Sequence, residues 1–417
     1  MDGPGCELRL LKGFSDIAGA DGVMGNTGVL MGGGKILAIL GDEEISAAEL
    51  LVHRDNILEV PDCVITPGLV DMHVHIIGGG GEAGPSSCTP QSQLSNFLEA
   101  GITTVVGVLG TDCITRRQES LVGKCRALNE DGMTAYHWCG SYRVPPATVT
   151  GSIQGDICLI ESCLGVGEIA VSDHRSSAPT AVELAKIASE ARVGGMLGGK
   201  AGLVHVHMGT GEAQLQPLYD ALEASNVPIT QFLPTHMERN PSLVNEAKRW
   251  IEHGGYVDFT AGAKAHAAIA QLLLGTSSRN HDSLLKHCSI SSDSFGSLPV
   301  FDAAGQLVKY EVAEPKELFT CLQHLFCDQE PGLKLSLDDV LALFTINPAR
   351  RLKLPHKGRI AVGCDADILV LTEDSLELQY VFAKGELVRT PGWVRGGAFE
   401  RGRRIRPRIL QDSVAPT

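Results

Sequence analysis

Short apolar runs and longer amphipathic stretches take turns along the middle of this chain, and their spacing predicts an α/β architecture. Runs with β character fall at 69–75, 103–108, 134–139, 168–172, 203–207, 229–235, 256–260 and 288–292. Between them, 90–100, 120–130, 181–193, 215–224, 242–253 and 264–273 each offer one apolar stripe at helical spacing. Eight such βα units predict a (β/α)8 TIM-type barrel. A doubly wound sheet alternates in the same way, but it more often carries a Gly-x-Gly-x-x-Gly turn after its first strand. Here Asp71-Met72-His73-Val74-His75 stands in that place.

The two ends break this rhythm. Short strand-like runs at 8–11, 28–31, 35–40 and 57–60 are split by Gly and Asp turns, and the tail repeats the pattern at 366–371, 376–383 and 386–389. The expected organisation is a small β-domain formed from both chain ends, 1–64 and 351–417, with the barrel inserted as 65–350.

Composition narrows the class. A chain of 417 residues with 43% hydrophobic and 20% charged residues has the makeup of a globular enzyme, and a net charge of −14 argues against nucleic acid or an anionic membrane surface as partner. The basic cluster from Arg401 to Arg408 is expected to be a solvated tail. Twelve cysteines occur without any Cys-x-x-Cys pair, which fits apolar filler in a reducing compartment. The first residues carry neither a basic nor an apolar leader pattern, and no stretch is long and apolar enough to span a bilayer. The expectation is a cytoplasmic enzyme, and a homo-oligomer.

Side chains alternate faces along a strand, so His73 and His75 leave the same face and can converge on one ion. Behind them, Gly78-Gly79-Gly80-Gly81-Glu82-Ala83-Gly84-Pro85 is suited to close backbone approach to a ligand and presents one carboxylate. In a barrel of this kind active sites lie at the C-terminal strand ends. The predicted fourth strand begins at Glu168 and runs into Ser172-Asp173-His174-Arg175, and the fifth ends in His207. The sixth ends in His236-Met237-Glu238-Arg239, and the eighth ends near Asp293. His205, on the same face as His207 but deeper, competes as a ligand or serves as a structural histidine.

On these residues, together with Pro67–His75, Asn347-Pro348-Ala349 and Gly363-Cys364-Asp365-Ala366-Asp367, the chain resembles the amidohydrolase superfamily and, within it, the isoaspartyl dipeptidases. The resemblance implies zinc held by His73, His75, His207, His236 and Asp293. Where that family has a carboxylated lysine bridging two zinc ions, this chain has Glu168, so two ions per subunit are expected with a single ion as the alternative. The resemblance further implies that Asp293 relays protons and that Tyr142 polarises the scissile carbonyl. It assigns Glu82 to a substrate amine and Arg175 and Arg239 to a carboxylate, with Gly80, Thr111 and Ser297 as further contacts. The implied substrate is a small β-aspartyl dipeptide. Two rivals stay open: another member of the superfamily, such as a cyclic amidase or D-aminoacylase, and a metal-poor, non-catalytic scaffold.

Overall fold

Eight parallel strands carry the middle of the chain, in sequence order and each followed by helical or loop connections. In the computed structural model, which describes residues 7–19, 27–276, 278–301, 306–329 and 334–400, these strands are Leu69–Val74 (β1), Ile102–Gly107 (β2), Thr134–Cys139 (β3) and Cys163–Val171 (β4). They continue as Leu203–Met208 (β5), Phe232–Thr235 (β6), Val257–Thr260 (β7) and Cys288–Ser291 (β8). The Arg401–Arg408 cluster lies outside the described residues.

Strands β1 to β6 form one continuous parallel sheet, and β7 pairs with β8 in a second. One backbone bond spans the first gap between them and two span the second. Met237 N–H donates to Asp258 O at 3.3 Å on one side; Asp293 N–H donates to His73 O at 3.0 Å, and His75 N–H to Ser294 O at 2.9 Å, on the other. This is a TIM-barrel type of arrangement. Its interior is plugged by Val70, Met72, Val106, Trp138, Leu164 and Leu233. Trp138 is fully buried, and its indole N–H donates to Met72 O at 2.9 Å, so the largest side chain of the plug has no unmet polar atom.

Three boundaries differ from the sequence pattern for physical reasons. The fourth strand does not begin at Glu168 but at Cys163, placing Glu168 well inside it. Gly165 and Gly167 hide that strand from an apolar pattern, yet they are required there. A Cβ on Gly165 would lie 2.4 Å from Leu203 O, and one on Gly167 would lie 2.7 Å from His205 Cβ, so β5 approaches β4 too closely for side chains. The 229–235 run is split: Ile229–Gln231 forms a 3-10 turn after Pro228, and only Phe232–Thr235 is strand. The helix expected over 90–100 is confined to Leu94–Glu99, where Asn96 Oδ1 accepts from Gln93 N–H at its start.

Both ends are β-rich, as their turn-punctuated pattern predicts. Lys35–Leu40, Gly28–Gly32, Arg9–Lys12 and Ile57–Glu59 form one sheet. Asp16–Ile17, Cys63–Pro67, Ile368–Thr372, Leu378–Ala383, Glu386–Thr390 and Trp393–Val394 form another. Cys63–Pro67 pairs antiparallel with Ile368–Thr372 just before the chain enters β1, and Leu11, Val29, Ile65, Ile368 and Phe382 share one buried cluster. Beneath the barrel, Lys357 Nζ donates to Thr134 Oγ1 at 2.7 Å, Asp367 at 2.6 Å and Asp365 at 2.9 Å. No helix among the described residues is long and apolar enough to cross a membrane.

Candidate metal centre and substrate site

The alternation of strand side chains brings the predicted ligands together at the C-terminal strand ends. His73 lies in β1 and His75 just beyond it, Glu168 in β4, His207 in β5, His236 just after β6, and Asp293 just after β8. All are buried except Asp293, whose side chain is 21% exposed. Three overlapping groups, His73 with His75 and Glu168, His73 with His236 and Asp293, and Glu168 with His207 and His236, each have ligand atoms within 4.8 Å of one another. The Glu168 carboxylate faces both sides of the cluster. Its Oε2 lies 3.3 Å from His73 Nε2, 3.1 Å from His207 Nδ1 and 3.7 Å from His236 Nε2, and its Oε1 lies 3.7 Å from His75 Nε2. Asp293 Oδ1 closes the set at 3.1 Å from His75 Nε2 and 3.4 Å from His73 Nε2.

The backbone at the strand ends is bent to make this possible. His236 and Asp293 take left-handed angles, φ +64° and +52°, which cost a non-glycine residue about 1–2 kcal/mol. Gly110, at φ +73°, leaves room for the cluster, since a Cβ there would lie 2.6 Å from His75 Cε1 and 3.5 Å from Glu168 Oε1.

The charges of the cluster are strongly coupled through burial and close ion pairs. Burial raises the Glu168 carboxyl, but His73, His207 and His236 outweigh it and hold it well below the usual carboxylate range. Burial lowers His73, yet Glu168 and Asp293 push it up to about 9. Burial together with Arg239 and His207 holds His236 well below its ordinary value. Despite these pairings, His73 Nε2, His236 Nε2 and Glu168 Oε1 are buried with no hydrogen-bond partner. Two carboxylates with converging imidazole nitrogens, three of these buried atoms without a hydrogen-bond partner, are a donor set that fits a divalent metal such as zinc.

Beside the cluster, the other predicted residues are also assembled. Tyr142, after β3, places its hydroxyl 2.8 Å from His207 Nδ1. Burial and the Glu168 charge hold that phenol well above its usual value, so it remains a proton donor at neutral pH. Thr111 Oγ1 donates to Glu82 Oε1 at 2.9 Å, and Ser297 Oγ donates to Glu82 Oε2 at 3.4 Å. Arg175 Nη1 lies 3.4 Å from Glu82, and a Cβ on Gly80 would lie 3.2 Å from Ser297 Cβ. Arg239 donates to Met208 O at 2.7 Å, with the same nitrogen 3.2 Å from His207 Nε2.

Residues 64–388 match the sequence profile of the Amidohydrolase family. The chain belongs to the amidohydrolase family. Among solved structures, this amidohydrolase is similar to the β-aspartyl dipeptidase of the thermophilic, keratin-degrading Fervidobacterium islandicum AW-1. In complex with the β-Asp-Leu dipeptide that enzyme is 38% identical, with 94% of this chain and all of the other covered at a TM-score of 0.83. A second structure of the Fervidobacterium enzyme is 36% identical with the same coverage and a TM-score of 0.82. Enamidase, at 15% identity, 91% and 95% coverage and a TM-score of 0.61, shares the fold.

Sequence left His205 between competing ligand and structural histidine, and gave Thr260 and Asp173 no role in this amidohydrolase site. His205 Nε2 lies 3.0 Å from His73 Nδ1, and the ring stacks on Trp138 at 5.2 Å, so it belongs to none of the ligand groups and acts beneath His73. Thr260 Oγ1 holds His236 Nδ1 at 2.6 Å from the neighbouring strand, which no spacing within one strand reveals. Asp173 touches both His207 and Arg175. The available signal was an acid two residues ahead of an arginine at a strand end.

Proposed function

We propose that this hydrolase cleaves β-aspartyl dipeptides at a centre that would hold two zinc ions, with Glu168 supplying the carboxylate that a carboxylated lysine supplies in the family. The reading is carried by one observation: a carboxylate, Glu82, and two guanidiniums, Arg175 and Arg239, gather at the mouth beside the buried cluster of imidazoles and carboxylates, Arg175 at 3.4 Å from Glu82 and Arg239 at 3.7 Å from Asp173. A β-aspartyl dipeptide presents an α-amino group and an α-carboxylate on one carbon, beyond the scissile carbonyl. Kinship at 38% identity with a β-aspartyl dipeptidase supports it.

His73, His75, Glu168, His207, His236 and Asp293 would hold the metal. Zinc bound there supplies Lewis acidity for the scissile carbonyl and makes hydroxide available near neutral pH. Glu82, aligned by Thr111 and Ser297, takes the substrate ammonium, while Arg175 and Arg239 take the α-carboxylate in charge-assisted hydrogen bonds, with Gly80 lining the same edge. Tyr142 donates a hydrogen bond to the carbonyl oxygen as negative charge develops there. Asp293 accepts the proton of the attacking water and returns it to the leaving amine.

In architecture, we read the two parallel sheets as one (β/α)8 barrel, 65–350, and the end sheets as a small β-domain built from 1–64 and 351–417. Eleven free thiols and no disulfide among the described residues support a reducing, cytoplasmic setting. We also expect a homo-oligomer.

Parallel assays on β-Asp-Leu and α-Asp-Leu test the function. Moving the carboxylate to the other arm strands a charge against the site at about 1.5–3 kcal/mol, so the β isomer should be preferred roughly tenfold to a hundredfold. Equal rates, or faster turnover of dihydroorotate or N-acyl-D-amino acids, would overturn it.

A further inference from the structure

The carboxylate of Asp173 is 6% exposed and fully engaged. Its Oδ1 accepts from the backbone N–H of Arg175 at 2.8 Å and from Arg175 Nε at 2.9 Å. Its Oδ2 accepts from Arg175 Nη2 at 3.0 Å and lies 3.1 Å from His207 Nε2, with Arg239 Nη1 at 3.7 Å. Gly209 keeps the β5 loop pressed against it, because a Cβ there would lie 2.5 Å from Asp173 Cα.

His207 faces the metal cluster with Nδ1, 3.1 Å from Glu168 Oε2, so the other nitrogen, Nε2, is the one free to carry the proton. A carboxylate accepting that proton fixes the tautomer and ring orientation of a metal-binding histidine. Arg175 Nη2 and Arg239 Nη1 both lie 3.2 Å from the same Nε2, and with the proton on Nε2 the Asp173 carboxylate is the negative charge that offsets these three crowded donors. The same carboxylate locks the Arg175 fork in a two-point ion pair.

We propose that Asp173 is a positioning residue that couples the metal site to the substrate-carboxylate clamp, orienting His207 with one edge and Arg175 with the other. This rests on the reading of His207 as a ligand and of Arg175 as the clamp. It predicts that metal retention and substrate affinity depend on one side chain that touches neither metal nor substrate.

The test follows two readouts in the zinc-loaded enzyme: zinc retention against a chromophoric chelator, and KM against kcat on β-Asp-Leu. Asp173→Ala should release zinc about tenfold to a hundredfold more readily and raise KM about tenfold. Arg175→Ala should raise KM with zinc retention unchanged, and His207→Ala should lose zinc. Asp173→Asn keeps the shape but has one accepting oxygen in place of two, so it should still fail in at least one readout. Wild-type zinc retention and KM in Asp173→Asn, with the two controls behaving as stated, would overturn the coupling. Unchanged KM in Arg175→Ala, or zinc retained in His207→Ala, would instead overturn the reading beneath it.

Discussion

Two buried charged clusters sit at opposite ends of this barrel, and they differ in how completely they are satisfied. At the lower end, the three protons of Lys357 meet three oxygens, those of Thr134, Asp365 and Asp367, and Asp367 also accepts from the backbone N–H of Lys384 at 2.8 Å. At the mouth, two carboxylates and four imidazoles crowd together while His73 Nε2, His236 Nε2 and Glu168 Oε1 have no partner. An ion cluster that only holds a fold together closes its hydrogen bonds. One that leaves buried donor atoms aimed at a common point has kept them for a ligand, at a cost in stability that the ligand offsets.

The largest effect that would break this comparison is expected at the lower cluster. Lys357→Met leaves the buried Asp367 without its cation, while the half-buried Asp365 keeps Lys35 at 2.5 Å, and this should destabilise the protein by about 3–5 kcal/mol in denaturant unfolding, while the folded fraction keeps its wild-type turnover. A loss of turnover at full stability would mean that the two clusters are not separate in role.

At the mouth the effects should invert. Glu168→Gln retains the shape but removes the charge that faces both sides of the cluster, so metal content should fall and kcat/KM should drop by about 10²–10³-fold, ~2.7–4 kcal/mol. Metal analysis and kinetics on the same preparation check both. Unchanged metal content would remove Glu168 from the centre.

Asp71 sharpens the contrast, because it is satisfied on one edge only. Its Oδ1 accepts from Ser292 N–H at 3.0 Å and His73 N–H at 3.3 Å, and Oδ2 has no partner. Burial, opposed by these bonds, pushes its carboxyl up from 3.8 to about 7. A raised carboxyl is stabilising in its neutral form, so the contribution is present below pH ~4 and lost as pH rises through about 7. Asp71→Asn should therefore gain on the wild type by up to about 4 kcal/mol between pH 4 and pH 8, read from unfolding midpoints at each pH. A constant difference across that range would place the Asp71 charge elsewhere.

Much of the site was legible because strand geometry is local. The period of two puts His73 and His75 on one face, and the rule that barrel chemistry sits at C-terminal strand ends selects His207, His236 and Asp293 from their neighbours. What escaped was non-local. The start of the fourth strand was hidden by Gly165 and Gly167, whose presence answers to the backbone of the next strand. The roles of Asp173 and Thr260, and the choice between the two readings of His205, depend on which atoms meet across strands, and no periodicity encodes that. The small β-sheets were visible as turn-punctuated runs at both ends, although their pairing across more than 300 residues, Cys63–Pro67 with Ile368–Thr372, was not.

If the unsatisfied cluster at the mouth is a metal centre, hydrolysis requires the metal. Elemental analysis of the purified protein, before and after dialysis against a chelator and paired with β-Asp-Leu turnover on each sample, tests it most directly. Close to two equivalents of zinc or a similar divalent metal per chain are expected, with loss of turnover as they are removed and recovery on their return. A metal-free protein that hydrolyses the dipeptide at the original rate would contradict it.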